Sequence, residues 1–109
     1  MSSRTPEIDI DQLAARSGDS ALVDVREASE YAAGHVPGAV LVPMSRLALH
    51  LGELDKTRPV YVVCASGNRS AAMTDLLVAS GYDAYSVTGG TNAWARSGRP
   101  LETGVSTRR

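Results

Sequence analysis

The chain has a single cysteine, Cys64, in 109 residues. A lone thiol excludes an intramolecular disulfide and any zinc site built on paired cysteines. Net charge is also scarce. Eleven Lys and Arg stand against 12 Asp and Glu, a formal −1, and no basic cluster stands out. That balance removes the electrostatic case for a nucleic-acid binder. No apolar run approaches the ~18 residues of a membrane span. Met1-Ser2-Ser3-Arg4-Thr5-Pro6-Glu7 lacks the apolar core of a secretory leader. The expected location is therefore cytoplasmic, with neither nucleic acid nor membrane as a partner. No repeat, low-complexity tract, long linker or coiled-coil seam is present. What remains, 43% hydrophobic and 21% charged, has the balance of one soluble globular unit. The expected domain is 6–101, with flexible tails at 1–5 and 102–109.

Short extended runs alternate with helical patterns. Asp9, followed three residues later by Gln12, suits a capped start for a helix Ile10 to Arg16. Ala21-Leu22-Val23-Asp24-Val25 reads as a buried strand. Glu27 to Ala33 is a short helix stopped by Gly34, a residue that tolerates a left-handed helix end. Val40-Leu41-Val42 is a strand closed by Pro43. Ser45 then caps a helix whose Leu47, Leu51 and Leu54 share one face. Val60-Tyr61-Val62-Val63 is the strongest strand signal. A helix from Ser70 to Ser80 follows, with Met73, Leu76 and Leu77 inward and Gly81 at its end. Ala84-Tyr85-Ser86-Val87 is a last strand, Gly89-Gly90 a turn, and Thr91 the cap of a closing helix around Trp94. This alternation predicts an α/β fold, a parallel sheet with helices on both faces.

Ligands of open α/β sheets bind at the carboxyl ends of strands. The strongest strand runs straight into Cys64-Ala65-Ser66-Gly67-Asn68-Arg69-Ser70 and then a helix, so the lone cysteine sits where chemistry is expected. Elsewhere a lone cysteine reads as a small buried hydrophobe. Here small residues and Gly67 let successive amides converge on one point at a helix amino end, which binds anions. Arg69 adds a cation at the rim. A free thiol with a pKa of about 8.5 is only ~3% thiolate at neutral pH, and lowering it by two units takes about 2.7 kcal/mol. One or two charge-assisted hydrogen bonds of about 1.5–3 kcal/mol each supply that. The loop suits a nucleophilic cysteine.

Three segments, in order, resemble the rhodanese family of sulfurtransferases in its single-domain form. Val23-Asp24-Val25-Arg26-Glu27-Ala28-Ser29-Glu30-Tyr31-Ala32-Ala33-Gly34-His35-Val36-Pro37-Gly38-Ala39 is similar to the family's D-V-R-x-x-x-E-[YF]-x-x-G-H-[IV]-x-G-A signature. Cys64 to Ser70 resembles its active-site loop. Gly89-Gly90-Thr91-Asn92-Ala93-Trp94, with Gly98 and Pro100 beyond, resembles its closing G-G-x-x-x-W…G-x-P segment. The resemblance implies a three-layer α/β/α fold around a parallel sheet of about five strands. It also implies a double displacement. Cys64 takes a sulfane sulfur from thiosulfate or a persulfide, and a thiol or cyanide then removes it. The amides of Ala65, Ser66, Gly67, Asn68, Arg69 and Ser70 would hold the sulfur, and Arg69 would bind the anionic donor. No metal or organic cofactor is implied. The implied partners are a small anionic sulfur donor and a thiol acceptor, either a small molecule or a thioredoxin-like protein.

Other readings compete. Asp24, Arg26, Glu30 and His35 read as a structural network rather than pocket lining, and Trp94 as core. His50 reads as surface. A sulfur-carrier or redox-signalling module acting on a protein partner is an alternative function. A cysteine phosphatase or arsenate reductase of similar fold is another. Against the phosphatase reading, four residues separate Cys64 from Arg69, one fewer than in the related cell-cycle dual-specificity phosphatases. A shorter loop makes a smaller cradle, and Val63 rather than His precedes the cysteine.

Overall fold

The computed structural model of the chain describes residues 4–16, 21–49 and 51–104. In chain order it contains β1 (Glu7–Ile8), α1 (Ile10–Ala15), β2 (Ala21–Asp24), α2 (Ala28–Ala33), β3 (Val40–Leu41) and α3 (Met44–Leu49). A single 3-10 turn (Leu51–Glu53) leads to β4 (Val60–Val63), α4 (Asn68–Ala79), β5 (Ala84–Val87) and α5 (Gly90–Arg96). All five strands run parallel, in the order β1-β5-β4-β2-β3.

The central strand shows why this sequence makes that sheet. Val60, Tyr61, Val62 and Val63 are all buried, as a parallel strand covered on both faces requires. Val60 and Val62, continued by Cys64, pack with Leu47 of α3 and with Met73 and Leu77 of α4. Tyr61 and Val63 face the other way, onto Leu13 of α1 and Trp94 of α5. The three-layer α/β/α architecture follows. From β2 the chain moves outward to β3, and from β4 it moves the opposite way to β5. This divergence opens a crevice at the carboxyl ends of β2 and β4. Cys64 lies at its floor.

Several local expectations are corrected, each for a non-local reason. Ser45 does not cap α3, which begins at Met44. The Met44 amide donates to the Val25 carbonyl at 3.0 Å, and the Arg46 and Leu47 amides donate to the Pro43 carbonyl at 2.8 and 3.0 Å, so backbone carbonyls take the place of a side-chain cap. Thr91 does not cap α5 either. Gly89 holds that position, and the amides of Thr91 and Asn92 are spent on the carbonyls of Cys64 and Ala65. Leu47, Leu51 and Leu54 do not share one helix. That helix stops at Leu49, yet all three leucines still pack on the same core. Gly34 ends α2 in extended rather than left-handed backbone (φ 166). A side chain there would crowd Leu101, whose Cδ1 lies 3.1 Å from the Cβ position. α4 begins at Asn68, ahead of the expected Ser70.

Other readings match. Asp9 and Gln12 form a reciprocal capping box on α1, with bonds of 2.8 and 2.9 Å. Trp94 is core, and its Nε1 donates to the Pro100 carbonyl at 2.8 Å. Past residue 101 the described chain is tied down. Glu102 and His35 exchange backbone hydrogen bonds, and the Gly104 amide donates to the Ala32 carbonyl. His50, 1–3 and 105–109 lie outside the described residues. No described helix is long and apolar enough to cross a membrane.

Candidate active site

Cys64 follows β4 directly and is buried, with 1% of its surface exposed. The chain then turns through Gly67, whose left-handed φ of 115° a side chain would strain, and enters α4. That turn aims free amides at the sulfur. Gly67 N donates to Sγ at 3.1 Å and Ser70 N at 3.3 Å, while the Ser70 Oγ lies 3.5 Å from Sγ. The sulfur thus sits at the amino end of a 12-residue helix, where free N–H groups and the dipole favour negative charge. Burial pushes the thiol pKa up. The Ser70 hydroxyl and the amides of Ser70, Gly67 and Ser66 outweigh it, and the net shift is downward. A lowered pKa marks a thiol poised to act as a nucleophile.

Amides point inward because the loop's carbonyls are held outward. Thr91 N donates to the Cys64 carbonyl at 2.8 Å and Asn92 N to that of Ala65 at 3.0 Å. The amino end of α5 therefore clamps the back of the loop, and both groups' hydrogen-bonding needs are met at once. So close an approach needs Gly90. A Cβ there would lie 2.7 Å from the Ala65 carbonyl oxygen and closer still to that of Cys64. The Gly89-Gly90 pair, read from sequence as a turn, is part of the loop's support.

The charged residues form two pairs. Arg69 reaches across the crevice to Glu30 of α2 in a bidentate contact, Nη1–Oε1 2.8 Å and Nη2–Oε2 3.0 Å. Its guanidinium holds the Glu30 carboxyl down at about 2, and the Arg69 pKa is raised in return. The rim cation expected from sequence is there, already partnered. Asp24 and Arg26 are both buried and bonded through Nε and Nη2, the shortest contact 2.9 Å. Nη2 of Arg26 also donates to the Gly34 carbonyl at 2.8 Å, tying the end of β2 to the end of α2. His35 stacks on Tyr31 at 3.6 Å, and its Nδ1 lies 2.8 Å from the Tyr31 carbonyl oxygen. A carbonyl only accepts, so Nδ1 carries the proton. Nε2 faces Glu102 at 3.7 Å. The structure thus joins Glu30 to the loop and gives His35 partners away from it.

Ser66 and Asn68 are exposed at the loop, Ala65, Gly67 and Arg69 are intermediate, and Ser70 is buried. Sequence reasoning missed Ser86 of β5, whose buried hydroxyl lies 2.8 Å from that of Ser70. A signal was available: Ser86 is the one polar residue in the run Ala84 to Val87, and it alternates with Ala84 of the core. Among the described residues no grouping of three or more His, Cys, Asp or Glu side chains could hold a metal ion.

A parallel α/β/α sheet with an amide-cradled cysteine between its central strand and the next helix defines a class of α/β domains. The comparisons narrow it. The rhodanese-like domain model matches residues 9–97, and the chain belongs to that family. A rhodanese-related protein from Thermoplasma volcanium superposes with a TM-score of 0.85 at 30% identity, over 89% of this chain and 97% of that one. A rhodanese-like domain protein from Staphylococcus aureus gives 0.80 at 37% identity, over 94% and 99%. A thiosulfate sulfurtransferase from Pseudomonas aeruginosa gives 0.81 at 31% identity. There 96% of this chain corresponds to 21% of a much longer one.

Proposed function

We propose that the protein transfers a sulfane sulfur through a persulfide on Cys64. The observation that carries the reading is the convergence of the Gly67 and Ser70 amides on Sγ at the amino end of α4. In the first half-reaction the thiolate attacks the outer sulfur of thiosulfate or of a persulfide. An S–S bond forms to Cys64, and sulfite or a thiolate leaves with the electron pair of the broken bond. In the second, a thiol or cyanide takes the terminal sulfur and Cys64 returns as thiolate. Negative charge stays within reach of the same donors throughout, so the cradle serves both half-reactions without rearranging. Covalent storage of the sulfur predicts ping-pong kinetics.

Four further observations support this reading. A thiol only 1% exposed suits a slim terminal sulfur better than a tetrahedral phosphate ester. Similarity to a thiosulfate sulfurtransferase supports thiosulfate as one donor. The pairing of Arg69 with Glu30 leaves the anion's attraction chiefly to the amides, with Arg69 bracing the loop across the crevice. The single cysteine means that sulfur must leave to an external acceptor, and a thiol that must stay reduced fits a cytoplasmic setting. Incubation with thiosulfate, followed by intact mass measurement, should add one sulfur atom to the wild type and none to Cys64→Ser. A wild type that stays unmodified by thiosulfate and by a small persulfide, and forms no thiocyanate from cyanide, would reject the reading.

A further inference from the structure

We propose that Ser86 is a positioning residue for Cys64: its buried hydroxyl donates to Ser70 Oγ and so reserves the Ser70 proton for the sulfur. The inference deepens the reading of Cys64 as nucleophile and rests on the hydrogen-bond geometry beneath it.

Ser86 pairs in register with Val62 on β4 and lies on the Ala84 side of the sheet, the side that also carries Cys64. Its side chain is buried, and among the described residues its hydroxyl has one hydrogen-bond partner, Ser70 Oγ at 2.8 Å. Ser70 Oγ is more crowded. Besides Ser86 it has the Gly67 carbonyl at 3.1 Å and Cys64 Sγ at 3.5 Å. A hydroxyl gives one proton and accepts two.

Counting protons settles the direction. If Ser70 donated to Ser86, the Ser86 proton would point at no acceptor, and Ser70 would have nothing to offer the sulfur. If Ser86 donates to Ser70, every group is satisfied. In the thiol form Cys64 S–H and Ser86 O–H both donate to Ser70 Oγ, and Ser70 donates to the Gly67 carbonyl. On ionisation the sulfur ceases to donate, and Ser70 turns its proton from that carbonyl to the thiolate. The Gly67 carbonyl is not orphaned, because Ala71 N still donates to it at 3.1 Å. Ser86 donates throughout, and its bond polarises the Ser70 hydroxyl toward the anion. The charged groups of the surrounding elements are Arg69 and Asp75 of α4, Glu30 of α2, Glu7 of β1 and the Asp24–Arg26 pair at the end of β2. None of them hydrogen-bonds Sγ.

The test is the pH profile of Cys64 alkylation by iodoacetamide, which needs no sulfur transfer. Ser86→Ala should raise the thiol midpoint by ~0.5–1 pH unit, as expected when one charge-assisted bond is weakened rather than lost. Ser70→Ala, which removes that bond, should raise it further. Ser86→Thr keeps the hydroxyl and should stay near wild type, which separates hydrogen bonding from packing. An unchanged midpoint in Ser86→Ala overturns the proposal. So does a lower one, because it would mean that Ser86 had been competing for the Ser70 proton. If Ser86→Ala does not fold, the wild type decides. The Ser86 Cβ resonance should titrate with the thiol, and a flat resonance overturns the assignment. A wild type with a low alkylation midpoint that takes up no sulfur would reject the sulfur-transfer reading and leave this one standing.

Discussion

Replacing Gly90 by alanine tests how the loop is held. An added Cβ would lie 2.7 Å from the Ala65 carbonyl oxygen, at a φ of +58°. The left-handed backbone costs an L-residue about 1–2 kcal/mol. Forcing a methyl group against backbone that cannot yield adds about 1–3 kcal/mol. Restriction of the unfolded chain returns about 0.4–1 kcal/mol, which leaves a net loss of about 1–5 kcal/mol. Gly98 is the control, because its φ is +85° and nothing lies within 4 Å of an added Cβ. Gly98→Ala bears only the backbone terms, a net loss of about 1 kcal/mol. At about 4–8 °C per kcal/mol, melting should fall by less than ~10 °C for Gly98→Ala and by more for Gly90→Ala. Displaced carbonyls also tilt the amides that face Sγ, so alkylation of folded Gly90→Ala should slow near neutral pH while Gly98→Ala keeps the wild-type rate. Equal melting losses in the two variants, or an unchanged alkylation rate in Gly90→Ala, would refute the claim that α5 sets the loop.

Two further predictions concern stability. The Glu30 carboxyl is held at about 2 against an ordinary 4.5. Its folded value is the lower one, so the stabilisation is complete above about pH 4.5 and disappears as pH falls through about 2. With side-chain exposures of 35% and 36%, solvent screening limits the Arg69–Glu30 pair to about 0.5–1 kcal/mol. Urea titrations should therefore show Glu30→Gln weaker than wild type by that amount near neutrality and equal to it at the acid end. A gap that ignores pH would assign the effect to something else. Thr74 Oγ1 is buried on α4 without a hydrogen-bond partner among the described residues. Thr74→Val keeps the shape and removes the unsatisfied hydroxyl, so it should stabilise by about 1 kcal/mol. A lower melting temperature would show that the hydroxyl is bonded after all.

Whatever was set by neighbours in sequence could be read from sequence. β4 announces itself because a strand buried on both faces must be apolar at every position, and the Asp9–Gln12 capping box closes within one turn. β1 was not legible. Two residues have no periodicity, and only pairing of Glu7 with Ser86 and of Ile8 with Val87 makes them a strand. The missed caps have the same cause. Ser45 and Thr91 look like caps by composition, but both lie inside their helices, because leading amides of α3 and α5 (Met44, Thr91 and Asn92) are satisfied by the carbonyls of Val25, Cys64 and Ala65, which are distant in sequence. At the site, the Cys64 to Ser70 segment was visible as a loop that could cradle an anion. Ser86 stands out as a polar residue in an apolar run, but that it lies behind Ser70, and that Arg69 is tied to Glu30, depends on the order of β2, β4 and β5 in the sheet.

The charges around Cys64 bear on what kind of thiol it is. Arg69 is matched by Glu30 and Arg26 by Asp24, so the cradle contributes no unpaired cation. What faces Sγ is the amides of Ser66, Gly67 and Ser70, one hydroxyl and the amino end of α4, the last equivalent to about half a positive charge. A full cation against the sulfur would lower its pKa further, but nucleophilicity falls as pKa falls, and the best attacking thiol titrates near ambient pH. Moderate, dipolar stabilisation therefore suits the thiolate that the proposed sulfur transfer requires. It would also suit the persulfide of that reaction, because amides and a hydroxyl can track the charge as it moves to the terminal sulfur. No second cysteine is present to convert that persulfide into an internal disulfide. Under the proposed reaction the stored sulfur has one exit, an external acceptor, and the cradle must hold the anion firmly enough to form it and loosely enough to give it up.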